Sequence, residues 1–233
     1  MKRAFTLAEV LITLGIIGVV AALTLPILVY NYQEKQYISK LKKAIATLDN
    51  AYKLAIAENG GNVNFGYITT PDWAVLPDSN GKEYYDKNTV KNSTILYNAL
   101  KPHLNILKEC ENLEPGCFPD IVYSPFDNTT WNLIKTQGGK RKFFVLKDGT
   151  SIGVTPNFAY IDVNGLKKPN KAGVDIFQIA FNENGVGYYD DGSDGTPWCY
   201  SNPFTCASWV ILNENIDYIH CNNLNWHNKT KCK

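Results

Sequence analysis

Three histidines, His103, His220 and His227, are the only imidazoles in the 233-residue chain. No H-E-x-x-H, G-x-S-x-G, Walker or G-x-G-x-x-G sequence accompanies them, so neither nucleophilic, metalloprotease nor nucleotide chemistry has its residues in place. The reading is a non-enzyme. The densest carboxylates are Asp190, Asp191 and Asp194 in YYDDGSDGTPW. Several oxygen ligands in a tight bend can hold calcium, but the EF-hand spacing fails here: Gly192 stands where the second ligand belongs and Ser201 where the bidentate glutamate should be. A solvated acidic turn is the simpler account. His220, Cys221, His227 and Cys232 offer zinc donors near the C-terminus, in spacings that match no finger or ribbon and would strand the other cysteines. No metal and no cofactor are therefore expected. One chemically conspicuous residue remains, Glu9, a carboxylate at the mouth of the uncharged run VLITLGIIGVVAALTLPILV. An acid beside a membrane-length segment needs a partner or a route to water.

The run that Glu9 introduces, Val10 to Val29, has the length to cross a hydrocarbon core of roughly 30 Å at about 1.5 Å per residue. Lys2 and Arg3 precede it as in a secretory signal peptide, yet the run exceeds a signal core and no small-residue cleavage site ends it. Beyond Tyr30 the apolar residues Ile38, Leu41, Ile45, Leu48 and Tyr52 alternate at spacings of three and four, one stripe of a continuing helix. Asn59-Gly60-Gly61 stops it. A helix from Phe5 to Glu58 would be roughly 80 Å long. Pro26 lies inside it, where a missing amide bends or melts the preceding turn.

MKRA followed by FTLAEVLITLGIIGVVAALTLP resembles the leader and first helix of type IV prepilins and type II secretion pseudopilins. The resemblance implies leader removal between Ala4 and Phe5 by a prepilin peptidase on the cytoplasmic side, and N-methylation of Phe5. It gives Glu9 an assembly role, pairing with the Phe5 ammonium of a neighbouring subunit, and makes Pro26 the mark of a segment that unravels on filament packing. One departure is Ala4, where the family usually has glycine before the cut. Some type II major pseudopilins carry a calcium loop in the head, which keeps Asp190, Asp191 and Asp194 in view. The implied partners are further copies of the chain, other pilin-like subunits, the inner-membrane assembly machinery and membrane lipid.

The remaining residues describe a head. All six cysteines (Cys110, Cys117, Cys199, Cys206, Cys221, Cys232) follow the apolar run, none as C-x-x-C, which indicates an oxidising exterior. The basic residues flank both sides of the run and do not settle orientation. Six cysteines allow 15 pairings. Their local order favours Cys110–Cys117, Cys199–Cys206 and Cys221–Cys232. NTVKNSTILYNALKPHLNIL reads as a short helix kinked at Pro102, with Leu96, Leu100, Leu104 and Leu107 on one face. Strand signals surround Asp148-Gly149, Asn164-Gly165 and Asn184-Gly185, an antiparallel meander. The segment DVNGLKKPNKAGVDIF resembles a recurrent element of pseudopilin-like heads, and Trp198, Tyr200, Trp209, Tyr218 and Trp226 are expected to pack the last disulfides. A formal charge of +1 with scattered lysines indicates no nucleic-acid partner.

The expected fold is α+β: a leader at 1–4, a helix at 5–58 with a transmembrane segment at about 10–29, and an antiparallel sheet head at 59–233 with disulfide-bonded C-terminal loops. The expected topology is a single-pass membrane protein with its N-terminus cytoplasmic and its head extracytoplasmic, at the cell surface or in the periplasm. Two functions of different kind fit: a pilin-like structural subunit that polymerises, or a membrane-anchored binding or adhesion domain that does not.

Overall fold

Helix α1 runs from Leu7 to Glu58, and its end is written in the sequence. Gly60 and Gly61 take positive φ values of 67° and 81°. Their amides turn back to the carbonyls of Ala57 at 3.2 Å and Ile56 at 2.9 Å, a Schellman closure that only residues tolerant of the left-handed region make cheaply. The computed structural model describes residues 6–62, 65, 87–110, 114–134, 141–155, 157–187 and 195–232. It divides into two units, an N-terminal arm, Met1–Gln36, and a head, Tyr37–Lys233. Helix α1 contributes to both.

In the head a six-stranded antiparallel sheet has the order β1-β4-β5-β6-β7-β8. The strands are β1 (Ile106–Cys110), β4 (Lys142–Leu146), β5 (Ser151–Val154), β6 (Phe158–Asp162), β7 (Ile176–Asn182) and β8 (Gly185–Gly187). β4 to β8 are the expected meander. At Asp148-Gly149 the glycine takes φ 87° and the Asp148 carboxylate accepts the Thr150 amide at 3.1 Å, an aspartate turn that sets the hairpin register. A two-stranded ribbon, β2 (Val122–Tyr123) with β3 (Thr130–Trp131), lies outside this sheet.

Alternation along each strand gives the sheet two covered faces. On one, Phe144, Ile152, Ile161 and Phe177 pack with Leu41, Ile45, Leu48 and Tyr52 of α1 in the main core. On the other, Phe143, Phe158, Tyr160 and Ile176 form a second core with Phe118 and Phe204. Polar ties fix α1 in place: Asp49 accepts the Val186 amide at 2.9 Å, Lys43 meets Asp148 at 2.8 Å, and Lys42 pairs with Glu214.

One expectation needs correction. Helix α2 (Lys87–Leu100) stops before Pro102, which starts a 3-10 turn at Lys101–His103. Proline cannot donate the next helical bond, so the chain turns out. Leu107 is consequently an exposed residue of strand β1 and not a member of the helical stripe. After two 3-10 turns, Trp198–Tyr200 and Pro203–Cys206, a short helix α3 (Ala207–Asn213) carries buried Trp209. Trp209 packs at a tilt against Trp226 with ring centroids 4.7 Å apart and donates to Asn215 Oδ1 at 2.9 Å.

Leu48 is fully buried at the centre of the main core, whereas Ile12 in the arm is exposed. Leu48→Ala should lower head stability by about 2–5 kcal/mol, while Ile12→Ala should leave it unchanged. Urea unfolding followed by tryptophan fluorescence, with both variants in detergent micelles, measures the difference.

Candidate functional site: the apolar arm and its carboxylate

The arm is helical although valine and isoleucine are indifferent helix formers. In an apolar medium every backbone amide and carbonyl must be satisfied within the segment, which a helix does. Its most apolar 18-residue window has a mean hydropathy of 2.5 and no buried share. Leu11, Ile12, Leu14, Ile16, Ile17 and Val19 all stand exposed, so the apolar surface runs around the helix instead of forming one stripe. The helix is long and apolar enough to cross a membrane. Tyr30 and Tyr32, both exposed, follow the run as interfacial aromatics do.

The polar atoms of the arm are turned back on its own backbone. Thr13 Oγ1 donates to the carbonyls of Val10 and Glu9 at 2.9 and 3.0 Å, and Thr24 Oγ1 to that of Val20 at 2.9 Å. Pro26 lies within α1, and the turn before it keeps its helical form.

Glu9 has a local partner that sequence reasoning missed. Glu9 Oε2 accepts the Thr6 amide and the Thr6 hydroxyl, both at 2.8 Å, while Thr6 Oγ1 accepts the Glu9 amide at 3.3 Å. This reciprocal arrangement is a capping box, and Thr6-Leu7-Ala8-Glu9 carries its T-x-x-E signature. The carboxylate satisfies an orphan donor at the helix start and lies at the positive end of the helix dipole. Ala4 and Phe5, the expected cleavage and methylation positions, lie outside the described residues, as do Asp190, Asp191 and Asp194.

The cysteines divide two ways. Cys110–Cys117 and Cys221–Cys232 are disulfides, the first beside the second core and the last closing the C-terminus against Asp217, whose carboxylate accepts the Cys232 amide at 2.8 Å. The latter bridge also occupies two of the sulfurs a zinc site there would use. The third expected bridge is not formed: Cys199 and Cys206 are buried thiols. Burial, followed by contact with the Cys199 sulfur, pushes the Cys206 thiol well up from its ordinary value. The thiolate that exchange requires is thereby disfavoured. Of the expected packing aromatics, Tyr200 donates to the Cys221 carbonyl at 2.8 Å, whereas Trp198 is exposed.

Comparison with known proteins adds no relative: no family model, curated protein or solved structure matches the chain.

The thiol assignment is open to direct count. Alkylation of the native chain without reductant should label neither Cys199 nor Cys206, and alkylation after unfolding should label both. Mass analysis that finds no label after unfolding would mean a third disulfide.

Proposed function

We propose that the chain is a prepilin-like structural subunit. Its leader is cut between Ala4 and Phe5 by a prepilin peptidase, Phe5 is N-methylated, the arm holds the chain in the membrane, and an assembly machinery polymerises it into a type IV pilus or type II secretion pseudopilus. The observation that carries this reading is a register: basic leader, Phe5, Glu9 and uncharged run follow one another in prepilin order, on a helix whose distal half walls a sheet. Glu9 pairs with the Phe5 ammonium of a neighbouring copy, so that two charges enter an apolar filament core together and neither enters alone. The head lies outside the cytoplasm with the N-terminus inside, a placement supported by two disulfides. Its partners are its own copies, other pilin-like subunits and lipid. Its work is structural, without catalysis.

A second reading has its own observation. The capping box gives Glu9 a use inside a single chain, which a membrane-anchored binding or adhesion domain that never assembles would share.

Thr6 separates the two. Glu9→Ala should leave the membrane fraction intact and lower incorporation into sheared filaments at least about tenfold, because breaking one partner of a buried ion pair costs roughly 3–5 kcal/mol. Thr6→Ala loses only the cap, worth about 0.5–2 kcal/mol, and should assemble close to wild type. Equal behaviour of the two variants, or a native N-terminus at Met1 by intact-mass analysis, would transfer the conclusion to the anchored domain.

A further inference from the structure

Lysines gather at the end of the head where α1 joins it. Tyr37 begins the head's share of α1, and Asn164 Nδ2 donates to its hydroxyl oxygen at 3.3 Å, which brings the start of the β6–β7 loop to that end. Lys43 meets the Asp148 carboxylate of the β4–β5 turn at 2.8 Å. Lys40 stands three residues from each of these ties on the same helix face, so it is presented to the sheet between the two turns.

The sheet supplies the facing wall. Its register sets Lys108 of β1 opposite Val145 of β4, and Val145 opposite Ser151 of β5. Residues directly opposite share a face with Cβ atoms about 4.5–5.5 Å apart, so the three side chains stand in one row. Row, turns and helix line a depression of about 400 Å³ that also takes in Leu107, Leu166 and Lys167. A void of that size accepts a small ligand. Gly165 lets the two turns close on each other, since its φ is 71° and a Cβ there would sit 2.7 Å from the Gly149 carbonyl oxygen.

The lining is unequal in charge. Asp148 is engaged by Lys43, whereas among the described residues exposed Lys40, Lys108 and Lys167 join no salt bridge. Lys108 Nζ has the Gly116 carbonyl at 3.5 Å, which leaves ammonium donors to spare. Asp162, next in the row beyond Ser151, adds no anion at neutral pH, because burial and then the charge of Asp175 push it up to about 9. Ser151 is only 1% exposed and its Oγ is buried without a hydrogen-bond partner, a hydroxyl donor in reserve. Asn164 Oδ1, likewise buried and unpartnered, is an acceptor and complements a ligand hydroxyl. Inorganic phosphate would answer the donors but not the rim, where Leu107 and Leu166 are 65% and 51% exposed. An anionic group joined to apolar chains answers both.

We infer that this depression binds the headgroup of an anionic phospholipid of the phosphatidylglycerol kind, with Lys40, Lys108 and Lys167 around the phosphate and Leu107 and Leu166 against the acyl chains. The inference rests on the arm lying in a membrane, as the proposed function has it. Val29 precedes Tyr37 by eight residues, so the chain cannot carry this end of the head more than roughly 29 Å from the uncharged run. Lipid of the same bilayer is the anionic amphiphile at hand. A head docked in this way is held to the bilayer by charge as well as by its arm, and the hold weakens as salt rises.

The test titrates the full chain, in neutral maltoside micelles, with short-chain phosphatidylglycerol, short-chain phosphatidylcholine or inorganic phosphate, followed by calorimetry. Phosphatidylglycerol should bind at least about tenfold more tightly than either of the others, since a lysine near an anionic lipid surface is worth about fivefold in affinity. Each of Lys40→Gln, Lys108→Gln and Lys167→Gln should weaken it about fivefold and the three together about a hundredfold. Lys231→Gln should change nothing. Leu107→Ser with Leu166→Ser should weaken phosphatidylglycerol binding without lowering the thermal midpoint. Lysine acylation footprinting of the wild type needs no variant: phosphatidylglycerol should protect Lys40, Lys108 and Lys167 and leave Lys231 as reactive as before. The inference is overturned if phosphatidylcholine or phosphate binds and protects as well as phosphatidylglycerol, or if the triple variant binds like wild type. It is equally overturned if the three lysines become protected without lipid as the protein concentration rises, which would make the occupant a second copy. Carbonate extraction from vesicles keeps the two readings apart: a chain that is released has no membrane arm, whereas one that stays inserted but fails these titrations overturns the headgroup site alone.

Discussion

Burial of Leu41, Ile45, Leu48 and Tyr52 of α1 against Phe144, Ile152, Ile161 and Phe177 is the contact on which the head depends. Each of these side chains contributes roughly 1.5–3 kcal/mol when fully removed from water, and the sheet would lack a cover on that face without them. The same helix supplies the arm, in which leucine, isoleucine and valine are exposed on every side. What changes along α1 is therefore the partner offered to the apolar side chains. In the head one stripe meets protein while Lys42, Lys43 and Asp49 serve the polar edge; in the uncharged run Val10 to Val29 no charged edge exists, and only a medium as apolar as the side chains themselves would spare them contact with water.

The second constraint is that the central strands are covered on both faces, so polar groups reaching the sheet must find partners inside it. Most do. Thr155 exchanges hydrogen bonds with Phe158, and buried Arg141 donates to the Leu133 carbonyl at 3.0 Å with its guanidinium 4.5 Å from the Tyr160 ring. In the Asp162–Asp175 loop, Asp162 Oδ2, Asn164 Oδ1 and Asn170 Oδ1 are buried without a hydrogen-bond partner. A protein interior close-packed elsewhere retains such groups at a cost of about 1–3 kcal/mol each unless something meets them.

Legibility in the sequence followed the strength of local signals. The end of α1 was readable because two consecutive glycines permit a Schellman closure, and the meander was readable because Asp148-Gly149 and Asn184-Gly185 are hairpin turns on their own chemistry. Strand β1 was not, since Leu104 and Leu107 continue a helical spacing across Pro102, and it takes the turn at Lys101–His103 together with the pairing beside β4 to make that stretch a strand. The state of Cys199 and Cys206 goes with their burial in the main core, which also holds Trp209, and sequence proximity does not encode that burial. Two signals were present and unread: T-x-x-E at Thr6 to Glu9, and the paired acids of DVNGLKKPNKAGVD, whose significance is the burial of Asp162 and not its spacing.

The capping box changes how Glu9 should be understood without exhausting it. Oε2 serves Thr6 twice, and an ionised carboxylate still has lone pairs for a further donor. Thr6 thereby restricts the Glu9 rotamer and holds the carboxylate at the helix mouth, and on the subunit reading less side-chain entropy would be lost when a neighbour's ammonium docked. A free, solvated glutamate would have to be ordered and desolvated together at the moment of assembly; a capped one is already ordered. On the subunit reading the cap and the intersubunit pair are then successive uses of one side chain, the first keeping the monomer's helix closed to its end and the second selecting a neighbour whose new amino terminus lies at the same depth.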